Sequence, residues 1–174
     1  MNAPSARMQV MTGEGFACIR IIGRANFTSS VDFKTLVNEL IQRGCGCFAL
    51  DLSECVLMDS TFLGVLAGFG LKLSGGNGSE DRSAIQLFNP SARIIELLET
   101  LGVLHLFRLI QGPLSPPTPT QTVEPVTCNP TQAELSRTCL EAHRTLMDLN
   151  PANAARFKDV AQFLAEGLKK PKNE

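Results

Sequence analysis

Apolar and polar positions follow two periods over the first 111 residues, and together they predict alternating strands and helices. Met8–Met11 and Phe16–Ile22 are strand-like runs separated by Thr12-Gly13-Glu14-Gly15, a turn signal. Ser30 opens a helix in which Val31, Leu36, Val37, Leu40 and Ile41 recur at helical spacing, and Gly44 ends it. Cys47–Leu52 is a continuous apolar run closed by Asp51 and Ser53, as a strand buried on both faces requires. A second helix runs from Ser60 to about Ser74 and stops at Gly75-Gly76-Asn77-Gly78. Ala84–Phe88 reads as a strand. Asn89-Pro90 starts a third helix through Ile94, Ile95, Leu97, Leu98 and Leu101, with Pro90 at the first helical position. Gly102 ends it, and Leu106–Ile110 is the last strand. This order predicts an α/β fold with a mixed, mostly parallel β-sheet, whose antiparallel part is the opening hairpin.

The pattern changes after residue 111. Residues 112–128 contain the run PLSPPTPTQTVEPV, rich in Pro and Thr, which predicts a semi-extended linker because Pro fixes φ and lacks a ladder donor. Residues 129–174 read as a helical hairpin. Asn129-Pro130 marks the first start and Asn150-Pro151 the break. Leu135, Cys139, Ala142, Leu146 and Leu149 form one apolar stripe. Ala154, Phe157, Val160, Ala161, Leu164 and Leu168 form the other. Such a hairpin must bury its stripes on the first domain, on a second copy or on a partner.

Composition narrows the function classes. With 16 Lys and Arg against 17 Asp and Glu, the net charge is −1, and no basic cluster suggests a nucleic-acid surface. No segment reaches the roughly 20 apolar residues of a membrane span, and the N-terminus lacks a secretory pattern, so a cytoplasmic location is expected. Six cysteines fit no disulfide framework, and with only His105 and His143 beside them no metal site or cofactor is expected.

The polar trio Asp59-Ser60-Thr61 stands in the most apolar stretch of the chain, Leu57–Leu66. Ser60, or its neighbour Asp59, can cap the second helix by accepting a hydrogen bond from an unpaired amide. No G-x-S-x-G pattern surrounds Ser60, and neither histidine is placed suggestively in the sequence, so an enzyme is not expected. No phosphate-binding glycine loop is present.

ALDLSECVLMDSTFLGVL resembles the signature of STAS domains, shared by bacterial anti-sigma factor antagonists and the cytoplasmic tails of anion transporters. The match rests on Asp51, Leu52, Ser53, Met58, Asp59, Ser60, Thr61, Leu63, Gly64, Val65 and Leu66, with agreement in element order over roughly residues 8–111. The resemblance implies a STAS-like domain over 1–111, with helices mainly on one face of the sheet. It also implies a non-enzymatic signalling role. Ser60, with Thr61 as the alternative, takes the place of the residue phosphorylated by an anti-sigma factor kinase and dephosphorylated by a PP2C-type phosphatase. Asn26, Asp59, Ser60, Thr61 and Phe62 are the implied partner-binding positions. Two of them depart from the family pattern: Phe62 replaces a Gly, and Asn26 stands where an acid is common. The alternative is an unphosphorylated scaffold or accessory subunit of a transporter complex. The C-terminal helices are a candidate homodimer contact.

Overall fold

In a computed structural model of the chain, residues 5–74, 84–115, 121–123 and 129–170 are described. The chain opens with a hairpin, β1 (Arg7–Gly13) and β2 (Phe16–Ala25), turned at Glu14-Gly15. Helix α1 (Phe27–Gln42) returns the chain to β3 (Cys47–Asp51), and β4 (Cys55–Met58) leads into α2 (Ser60–Ser74). Then come β5 (Ile85–Phe88), α3 (Ala92–Thr100), a short 3-10 turn at Leu104–Leu106, and β6 (Arg108–Ile110). A further strand, β7 (Gln121–Val123), precedes helices α4 (Gln132–Leu149) and α5 (Ala154–Lys169).

The strands form one sheet in the order β6-β5-β3-β2-β1-β7, with β4 also paired to β2. The β2, β3, β5 and β6 pairings are parallel, while β1 runs antiparallel to both β2 and β7. This is the mixed, mostly parallel sheet expected from the alternation of elements. Alternate residues of the strands, among them Ala17, Ile19, Ile21, Phe48, Leu50, Ile85 and Leu87, meet α1, α2 and α3 in one buried cluster. The opposite face carries Arg20 and Asp51, joined at 3.0 Å. Helices therefore cover one face of the sheet, and the other stays partly polar, as single-sided mixed sheets allow.

One strand is added to the expected set, and three expectations are corrected. The added strand, β4, pairs with the far half of β2, after a register shift at Gly23 whose φ is +95°. Gln121–Val123, inside the Pro-rich segment, joins the ladder of β1, because those three residues are free of Pro. α1 starts four residues before Val31: Asn26 caps it in a capping box with Ser29, and Ser30 sits inside the helix. α3 is capped by Ser91 instead of being opened by Pro90. Asn89 takes a left-handed φ of +53° and exchanges side-chain hydrogen bonds with Gly112. The predicted turn at residues 75–78, and 116–120 and 124–128 of the Pro-rich segment, lie outside the described residues.

The tail forms the two predicted helices, and they pack on the rest of the chain. α4 is capped by Thr131 in a capping box with Glu134 and lies against α2 and α1. Asn153, between α4 and α5, donates to the carbonyls of Leu101 and Leu146 at 2.9 and 2.8 Å, tying the hairpin turn to the end of α3. Among the described residues no helix is long and apolar enough to cross a membrane.

Candidate functional site

β2 and β4 run in parallel and end side by side, and each feeds directly into a helix. Asn26 follows β2 and caps α1; Asp59 follows β4 and leads into α2. The amide of Asp59 donates to the carbonyl of Ala25 at 3.0 Å, which ties the two strand ends together. Two helix N-termini, each with partial positive charge, thus converge on Asp59.

Asp59 performs the capping work. Its Oδ1 accepts from the Phe62 amide at 2.9 Å, and its carbonyl accepts the first helical hydrogen bond, from Leu63. Burial pushes the Asp59 carboxyl above its ordinary range, opposed by hydrogen bonds from the amides of Phe62, Phe27 and Thr61 and by nearby His143. An aspartate cap contributes about 1 kcal/mol to such a helix. With that role taken by Asp59, the hydroxyl of Ser60 is left for another partner.

That partner is on the tail. Ser60 Oγ lies 2.9 Å from His143 Nε2 on α4. One residue on, Thr61 Oγ1 lies 3.2 Å from Cys139 Sγ, and Cys139 Sγ lies 3.5 Å from the other ring nitrogen of His143. The imidazole is buried and stacks on Phe157 of α5, with ring centres 4.8 Å apart. Burial pushes the His143 pKa down, against a hydrogen bond to the backbone carbonyl of Cys139 and the Asp59 charge, so the ring is neutral near pH 7.

Of the five positions singled out in the sequence, Asp59, Ser60, Thr61 and Asn26 come together around the two helix starts. Phe62 does not join them: it is fully buried and packs on Phe33 at 4.8 Å, so its side chain offers no surface to a partner. Thr61 is buried under α4, and Asn26 is occupied by its capping box. Phe27, absent from that set, is half exposed beside Asp59. His143 and Cys139 were also missed. They are four residues apart on one helix face, which sequence shows, but nothing in sequence connects that face to Ser60. Among the described residues no cluster of His, Cys, Asp and Glu is arranged to hold a metal ion.

No protein-family model matches the chain, and no curated protein matches it. Two similar solved structures are of SpoIIAA. One is the anti-sigma factor antagonist in its unphosphorylated form, at 16% identity, covering 62% of this chain and 90% of that one, with a TM-score of 0.49. The other is the Bacillus cell fate determinant in its phosphorylated form, at 17% identity, covering 60% and 91%, with a TM-score of 0.48. At this identity the likeness concerns the arrangement of strands and helices; what the Ser60 site does must follow from the residues of this chain.

Proposed function

We propose that this chain is a non-enzymatic bacterial signalling protein of the anti-sigma factor antagonist type, which binds an anti-sigma factor with serine kinase activity and is switched off by phosphorylation of Ser60. The observation that carries the reading is the division of labour at the start of α2. Asp59 caps the helix, so the Ser60 hydroxyl is not needed for local structure. The resemblance of the surrounding motif to STAS domains supports reading Ser60 as the phosphoacceptor. A phosphoserine adds about −1.5 to −2 charges, and a helix N-terminus accommodates added negative charge.

In the reaction, Ser60 Oγ attacks the γ-phosphorus of ATP held by the kinase. The bond from that phosphorus to the β,γ-bridging oxygen breaks, ADP leaves, and the hydroxyl proton passes to a base of the kinase. A PP2C-type phosphatase reverses the state by hydrolysis, releasing inorganic phosphate. Half-exposed Phe27, adjoining the site, provides an apolar contact for the partner.

The second reading, an unmodified STAS scaffold or transporter accessory subunit in the cytoplasm, is favoured by one fact: His143 covers Ser60 in the closed chain. Phosphosite mapping separates the two. The full chain is incubated with Mg-ATP and lysate of its own organism, beside Ser60→Ala. Phosphate on Ser60, absent from the variant, supports the switch. An active lysate that leaves both Ser60 and Thr61 unmodified, in this chain and in a variant whose α4 is displaced from Ser60, overturns it in favour of the scaffold.

A further inference from the structure

The tail meets the first 111 residues at the candidate acceptor itself. Four contacts define the crossing of α4 on α2 and α1. His143 engages Ser60, and Cys139 engages Thr61. Glu141 accepts from Lys34 Nζ at 2.7 Å. The fourth contact is backbone against backbone: a Cβ built on Gly64 would lie 2.5 Å from the Ala142 carbonyl oxygen and 2.7 Å from its Cβ. Only glycine lets α4 approach this closely, and the approach is what brings His143 within hydrogen-bond distance of Ser60.

We propose that the α4–α5 hairpin is a built-in cover for Ser60, so that a kinase and α4 compete for the same place and a phosphoryl group on Ser60 holds the hairpin off. The inference rests on the reading of Ser60 as phosphoacceptor, but its mechanism is local. A hydroxyl 2.9 Å from an imidazole nitrogen leaves no volume for a phosphorus and three more oxygens. The imidazole cannot retreat, because Phe157 backs it. The added charge also lands beside Asp59, a carboxylate already held in a partly desolvated position. Steric exclusion and repulsion act together, and the element that yields is α4: Phe62, Leu63 and Leu66 fix α2 in the core, whereas α4 lends the buried residues of that core Leu146 alone and is tied at its end by Asn153. The lysine–glutamate pair is exposed on both sides and adds little to hold it. Modification of one serine is thereby converted into exposure of the face of α2 and of the apolar stripe of α4.

The test is amide hydrogen exchange on the full chain carrying genetically encoded phosphoserine at position 60, which needs no kinase. Exchange in residues 132–149 should accelerate at least tenfold relative to the unmodified chain, while β2, β3 and α2 keep their protection. Unchanged or slower exchange in α4 overturns the cover, slower exchange meaning that His143 clamps the phosphate instead. Gly64→Leu provides an opening that leaves Ser60 intact: the three atoms nearest to a Cβ at that position all belong to Ala142, so the added side chain meets α4 first. It should reproduce the exchange pattern, and protection of α4 equal to that of the unsubstituted chain overturns the crossing as the fastening point. The two ideas fail separately. Lysate that never modifies Ser60, even in Gly64→Leu, defeats the switch and leaves the exchange result standing. Phosphoserine without release defeats the cover and leaves the switch intact.

Discussion

The N-termini of α1 and α2 start at the ends of paired strands, and they satisfy their polar groups over very different distances. At α1, Asn26 and Ser29 bond to each other's backbone within three residues, and Ser30 donates to the carbonyl of Phe27. Every partner is local. At α2, Asp59 makes the same kind of cap from a single side chain, and the next two hydroxyls reach across 83 and 78 residues to His143 and Cys139. A serine inside a capping box has its oxygen committed to the fold. A serine released from capping holds a partner that can be exchanged for another, which is what a switch requires.

The largest expected effect tests what keeps the second start rigid. Phe62 fills the core below Ser60 with no exposed surface. Phe62→Ala should lower unfolding stability by about 3–5 kcal/mol in urea titration, the usual cost of emptying a buried aromatic site. A loss below about 1 kcal/mol would mean that the site collapses easily and that α2 is not the fixed partner of the pair.

Removing one side chain at each start should then give losses of different kinds. Ser60→Ala leaves a buried imidazole nitrogen without its partner, a cost of about 1–3 kcal/mol. That loss should appear as faster amide exchange confined to α4 and α5. Asn26→Ala removes a cap worth about 1 kcal/mol. Its effect should stay in the first turn of α1 and leave α4 unmoved. If both variants loosen the same segment, the two starts are not independent and the contrast between them fails.

The difference between the two starts also sets how far sequence alone could reach. Local rules were readable: the helical spacing of Leu36, Val37 and Leu40, the break at Asn150-Pro151, and the boundary of α2 at Ser60 all follow from neighbours in the chain. β4 escaped because a strand of four residues, CVLM, carries too short a pattern, and its pairing depends on the register shift at Gly23. β7 escaped because prolines surround it on both sides. The cap of α3 moved to Ser91 because Asn89 bonds Gly112, a contact 23 residues distant. Around Ser60, the trio Asp59-Ser60-Thr61 stood out against its apolar setting, and capping by Asp59 was among the readings. His143 did not stand out, since its importance comes from a helix crossing that Gly64 permits and no spacing rule encodes.

The smallest expected effect comes from acid, acting through His143. Burial lowers its pKa in the docked chain, so the closed state binds that proton less readily than a state in which the ring meets water. The docking energy is therefore fully present well above the ordinary histidine pKa of ~6.5 and declines as pH falls through that value, where the open state gains a proton first. Asp59 works the other way. Its carboxyl is raised by burial, so the docked state favours the protonated form, and that contribution is lost as pH rises through the raised value. Cys139 on α4 and Asp59 ahead of α2 are the titratable groups found to act on the ring, and α5 packs Phe157 against it. His143→Gln isolates the histidine, because it keeps a polar side chain without a titratable ring. Exchange of α4 amides, corrected for intrinsic rates, should open between pH 7.5 and 5.5 in the unsubstituted chain and stay level in the glutamine variant. Parallel opening in both would leave His143 only a geometric part in holding Ser60, and Asp59 could not account for it, because its docked form gains its proton as the pH falls.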